Sequence, residues 1–106
     1  MPEIVIDIAR DFSKTPGART RKEGPHSGQE FREAFLEKHF SSPEKPTLVI
    51  VLDGADGYAT SFLEEAFGGL ARIFGPAEVL ARIRFVSNED SILIDEIVGY
   101  INEANA

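Results

Sequence analysis

The chain has 106 residues, 18 acidic against 11 basic, and a formal net charge of −7. It has no cysteine, which excludes disulfide frameworks, thiolate metal centres and thiol nucleophiles. Its two histidines, His26 and His39, are too far apart in sequence to form a histidine metal site by local spacing. With 42% apolar residues, no apolar run long enough to span a bilayer and no basic-then-apolar opening after Met1, one soluble cytoplasmic domain over residues 1–106 is expected.

Residues 3–8 alternate, with Ile4, Ile6 and Ile8 on one side and Glu3 and Asp7 on the other, the pattern of a half-buried strand. Residues 9–26 read as a loop punctuated by Pro16-Gly17 and Gly24-Pro25, with room for a short extra strand over 15–23. Ser27-Gly28-Gln29-Glu30 fits a capping box and predicts the first helix, carried by Phe31, Phe35, Leu36 and Phe40 and stopped at Ser41-Ser42-Pro43. Residues 47–52 are apolar from Leu48 onward and predict a central strand covered on both faces.

Gly54 and Gly57 open a loop, and Ser61, with Glu64 three residues on, is expected to cap a second helix. Leu63, Ala66, Phe67, Leu70, Ile73 and Phe74 form its apolar stripe, and Gly75-Pro76 ends it. Residues 82–86 predict a third strand with Ile83 and Phe85 inward and Arg82 and Arg84 outward. After Asn88 and Asp90 a last helix carries Leu93, Ile94, Ile97, Val98 and Ile101. The order β-α-β-α-β-α argues for an α/β fold with a largely parallel sheet. Because the first and third strands show a polar face, a small sheet with helices mainly on one face is expected, with three clear strands and room for a fourth or fifth in a mixed sheet. The expected core includes Ile50, Leu63, Phe67, Leu70, Phe85, Ile94 and Ile101.

The charge is uneven. Arg10, Lys14, Arg19, Arg21 and Lys22 give the first 25 residues a slight positive excess, and the remainder is strongly acidic. An acidic body repels a phosphate backbone, so nucleic acid is not an expected partner. Neither Gly-x-Gly-x-x-Gly nor a glycine loop ending in Gly-Lys-Ser/Thr occurs, which excludes the two commonest nucleotide cradles, and no cofactor is expected. Asp53 and Asp56 follow the central strand, where α/β folds place their sites; they could bind magnesium or accept a phosphoryl group, but Asp-Gly-Ala-Asp-Gly reads first as turn chemistry. Ser61 lies outside any Gly-x-Ser-x-Gly motif, so no catalytic residue is assigned and an enzyme is not expected. Arg19, Arg21 and Lys22, with the helix start at Ser27 and Gly28, could clasp an anion, which makes a small-anion or nucleotide-ligand sensor one function class. Tyr58 and Phe62 flank the start of the second helix and, if exposed, would anchor an interface together with Asp56.

Residues 48–70 resemble the core of STAS domains, the fold of bacterial anti-anti-sigma factors and of the cytoplasmic tail of sulfate transporters. Val49-Ile50-Val51-Leu52 aligns with their apolar strand and Thr60-Ser61 with their paired serines, Ser61 falling on the position that a protein kinase modifies. Those regulators carry an aspartate before the pair and a glycine after it, where this chain has Ala59 and Phe62. The chain also resembles a STAS-like family of uncharacterised bacterial domains through Gly17-x-Arg19, Ser27-Gly28-x-x-Phe31-Arg32 and Ser61-Phe62-Leu63-x-Glu65-Ala66-Phe67-Gly68. These resemblances imply a non-enzymatic regulatory interaction module. Its phospho-acceptor would be Ser61 or Thr60, and its partner a histidine-kinase-like ATPase or an anti-sigma-type regulator.

Overall fold

Three parallel strands, β1 (Glu3–Asp7), β2 (Thr47–Val51) and β3 (Ile83–Val86), form one sheet in the order β1-β2-β3 in the computed structural model, which describes residues 2–104. The expected span of 1–106 therefore includes Met1, Asn105 and Ala106, which lie outside the described residues. Two helical crossovers join the three strands. Right-handed crossovers that advance in one direction along a sheet deliver their helices to one face.

The first crossover ends in α1, residues 28–40, built from Gly28–Phe31, a π-helical turn Arg32–Leu36, and Glu37–Phe40. Ser27 caps it as expected, its hydroxyl accepting from the Glu30 amide at 3.0 Å. The second contains α2, residues 60–74, again with a π turn (Glu64–Gly68) between Thr60–Leu63 and Gly69–Phe74. At Gly75 the backbone takes a φ of 94°, which suits glycine, and ends α2. Pro76 then opens α3 (Pro76–Arg82), whose existence the sequence reading missed. The last helix, α4, runs Ile92–Glu103.

One core fills the space between the sheet and these helices. Ile6, Leu48, Ile50 and Ile83 project from the sheet; Phe31, Leu36, Leu63, Phe67, Leu70, Val79, Ile97 and Ile101 meet them from the helices. Of the expected core, Ile50, Leu63, Phe67, Leu70 and Ile101 are fully or almost fully buried, whereas Phe85 and Ile94 are half-buried at its margin. Phe85 packs edge-on against Phe67 with ring centroids 5.2 Å apart. The close crossing of α1 over α2 explains Gly28, where a Cβ would stand 2.5 Å from the Phe62 carbonyl oxygen.

Several expectations are corrected. Residues 15–23 form turns and bends rather than a strand, and among the described residues the sheet has three parallel strands with no fourth or fifth. Ile8 leaves β1 for a π turn, Ile8–Phe12, capped by the Asp7 side chain on the Arg10 amide. The core covers the central strand on one face: Leu48 and Ile50 are buried, whereas Val49 and Val51, on the other face, are half-buried and lie outside the core. Arg82 points inward, not outward. Its side chain is 8% exposed, and its guanidinium donates to the His39 carbonyl at 2.9 Å and to Phe40 and Pro46 at 3.4 Å. It also stacks 4.4 Å over the Phe40 ring and so closes the C-terminal end of α1.

Candidate functional site

The C-terminal ends of β2 and β3 lie side by side, joined by the Leu52 amide donating to the Val86 carbonyl at 2.8 Å. The chain splays there into two loops, 53–59 and 87–91, that lead to α2 and α4. Between them lies a cavity of about 380 Å³, in the crevice where α/β sheets hold their ligands. Leu52 and Leu93 give it an apolar floor, Tyr58, Thr60 and Ser87 contribute hydroxyls, and Asp53, Glu89, Asp90 and Glu96 make it acidic.

The two loops brace each other. Asp53 accepts from the Asn88 amide at 2.9 and 3.0 Å, from the Glu89 amide at 2.9 Å and from the Asn88 side-chain amide at 3.0 Å. The Glu89 and Asn88 amide bonds hold its carboxyl below the ordinary aspartate value. Glu89 in turn accepts from the Gly54 amide at 2.9 Å, where a φ of 93° suits glycine. Asp90 accepts from the Ile92 amide at the start of α4 and from the Ser87 hydroxyl through its own carbonyl. With both oxygens committed to loop 87–91, Asp53 is the staple of the site rather than a free phosphoryl acceptor. Asp56 is exposed, and among the described residues no group of three or more potential ligands is placed to hold a metal ion.

The start of α2 departs from expectation. Its cap position is Ala59, with no side-chain acceptor; Thr60 and Ser61 are the first two helical residues. Ser61 is therefore not the cap. Thr60 is exposed on the cavity wall and Ser61 is half-buried. Phe62 is fully buried among Phe12, Phe31 and Tyr58, so it is core and not an interface anchor. Tyr58 is half-buried, donates its hydroxyl to the Leu52 carbonyl at 2.8 Å, and is held protonated well above the ordinary tyrosine value, chiefly by burial. Of the expected partner-facing residues, only Asp56 is freely exposed.

Behind this helix start lies an ion-pair network. Arg19 donates to Glu64 at 2.5 Å, Arg72 to Glu64 at 2.6 Å, and Arg32 to Glu65 at 2.5 Å and Glu37 at 2.8 Å. The arginines neutralise the two glutamates nearest Ser61, whose charge would otherwise oppose a phosphate there. The same contacts undo the expected anion cradle. Arg19 is spent on Glu64, and Arg21 on Glu33 at 3.1 Å. Ser27 is buried in its capping bond, and the Gly28 and Gln29 amides donate to the Ala18 and Arg19 carbonyls at 2.9 and 3.0 Å. These residues tie the basic loop onto α1 instead of presenting donors to a ligand.

Sequence reasoning missed the second half of the site: Ser87, Glu89, Asp90, Leu93 and Glu96. The signal was available in Ser87-Asn88-Glu89-Asp90 following the third strand, but joining it to Asp53 required the neighbourhood of β2 and β3.

Residues 27–93 match the family described as a STAS-like domain of unknown function (DUF4325). The chain belongs to this STAS-like family. The matched region takes in α1, β2, α2, α3, β3 and all of the cavity wall except Glu96, and leaves out β1 and the basic loop. Neither the comparison with curated proteins nor that with solved structures gave a match. Among the described residues of this STAS-like domain, no helix is long and apolar enough to cross a membrane.

Proposed function

We propose that this STAS-like domain is a non-enzymatic regulatory module of the anti-sigma-antagonist type. It would bind a protein partner through loop 53–59 and the start of α2, and release it on phosphorylation at Thr60 or Ser61. The observation that carries this reading is the uncapped start of α2. Ala59 offers no side-chain oxygen to the first helical amides, and Thr60, exposed, and Ser61, half-buried, stand there with hydroxyls. A phosphoryl group on either would meet the positive end of a fifteen-residue helix. The neutralisation of Glu64 and Glu65 by Arg19, Arg32 and Arg72 removes the main electrostatic objection.

The partner's chemistry follows from the adjoining cavity. Four carboxylates around an apolar floor suit an inserted lysine or arginine from a histidine-kinase-like ATPase or an anti-sigma-type regulator. A new dianion on Thr60, at the cavity wall, would add a charge that must be desolvated when the partner docks.

The reading is tested by mapping phosphorylation on the protein recovered from its own cells, then measuring by calorimetry how Thr60→Glu and Ser61→Asp bind a co-purified regulator. Modification at 60 or 61 with weakened binding of the matching acidic variant is the expected result. A regulator that binds both acidic variants as tightly as wild type overturns the switch.

A further inference from the structure

The face of the sheet turned away from the helices carries a charge pattern that fits a second copy of the same chain. Parallel sheets are ordinarily covered on both faces. Here Val49, Val51 and Val86 lie outside the core, and Val5 is 52% exposed. The strand register sets this face in rows: Val5, Val49 and Arg84 side by side, then Asp7, Val51 and Val86, with Glu3 beside Thr47 in the row before. The valines make a central strip. The acidic side chains lie on the β1 edge and Arg84, exposed and without an ion-pair partner among the described residues, lies on the β3 edge.

Two such faces can stack about 10 Å apart, and the charges choose the orientation. A two-fold axis perpendicular to the strands, lying between the sheets, sets β1 over β1 and β3 over β3, so like charges meet. A two-fold axis parallel to β2 keeps the rows aligned and sets each β1 over the other copy's β3. Arg84 then lies under the partner's Val5, with the partner's Glu3 and Asp7 one pleat away on either side. The Val49 and Val51 pairs meet at the axis. We propose that the domain associates with itself in this way, sheet face to sheet face with strands parallel. Three strands of this length offer only about 250 Å² per copy, well below what permanent interfaces bury. The dimer is therefore reversible and concentration-dependent.

Charge exchange tests it, read by sedimentation velocity from low micromolar to millimolar protein, with circular dichroism to verify folding. The wild type is expected to shift from monomer toward dimer. Glu3→Arg and Arg84→Glu should each weaken association by roughly tenfold or more, as like charges face each other across an interface. The two single variants mixed, or the double variant alone, should associate again. Val49→Lys, and Val5→Lys on the more exposed edge strand, should both abolish the dimer. A wild type that stays monomeric throughout overturns the proposal. So does association that survives Val49→Lys and grows past the dimer, because that is pairing along the strand edges.

Discussion

Arg82 is the residue whose removal should cost most relative to its apparent place in the sequence. Its guanidinium lies almost out of water and satisfies the His39 and Phe40 carbonyls at the end of α1 and the Pro46 carbonyl before β2. Only the His39 bond is short; the other two, at 3.4 Å, are long and contribute less. A hydrogen bond from a charged donor is worth about 1.5–3 kcal/mol, and stacking on Phe40 adds about 0.5–2 kcal/mol. The Glu78 pair at 3.0 Å adds little, because that carboxylate is 42% exposed. Against these gains stands the burial of the guanidinium itself, whose Nε has no hydrogen-bond partner among the described residues. Arg82→Met, which keeps the stem and relieves that burial, should therefore lose about 2–4 kcal/mol. At about 4–8 °C per kcal/mol for a domain of this size, Tm should fall by roughly 8–30 °C. Arg82→Lys, a point charge that cannot serve carbonyls in three directions, should recover at most part of this. Urea denaturation of the three proteins, compared at equal m, measures the effect. An Arg82→Met protein within about 0.5 kcal/mol of wild type would refute the view that this side chain holds α1 to the sheet.

Gly28→Ala should destabilise by about 1–3 kcal/mol despite the better helix propensity of alanine, because its methyl must displace the Phe62 backbone carbonyl; the same denaturation assay reads it. Ser61→Ala should be nearly neutral for stability, since Ala59 and not Ser61 occupies the cap position; a loss above about 1 kcal/mol in thermal unfolding would restore Ser61 as a cap. Hydrogen bonding from Arg72 and then Arg19 holds Glu64 below its ordinary value of 4.5. A carboxylate depressed by folding stabilises above its unfolded value, and that contribution is lost as pH falls through the lower, folded one. Stability should thus decline below about pH 4.5, and Glu64→Gln should flatten that acid limb in a Tm-versus-pH series.

The alternation of strand and helix was legible because period-2 and period-3.6 hydrophobicity differ plainly at Ile4-Ile6-Ile8 and at Leu63-Phe67-Leu70. α3 was not, because it is short and its Pro76 served equally well as the stop for α2. Arg82 reads as an ordinary strand-edge charge until Phe40 and Pro46, distant in sequence, surround it. Phe62 beside a helix start looks like an exposed anchor; only the packing of Phe12 and Phe31 across it makes it core. The candidate site was half legible. Asp53, Asp56 and the Thr60-Ser61 pair follow the central strand, but the loop 87–91 that completes the cavity joins them only through the adjacency of β2 and β3. The basic loop misled for an electrostatic reason. Arg19 and Arg21 stand among cations in the sequence, while the carboxylates that neutralise them, Glu64 and Glu33, arrive from other elements.

In the proposed switch, a phosphoryl group at the start of α2 controls partner binding. This is tested most directly by isolating the unmodified protein and the form phosphorylated at Thr60 or Ser61, and titrating both against the same regulator by calorimetry. The phosphorylated form is expected to keep its fold and to bind at least tenfold more weakly, about 1.4 kcal/mol or more. Equal affinity of the two forms, both folded, would contradict it.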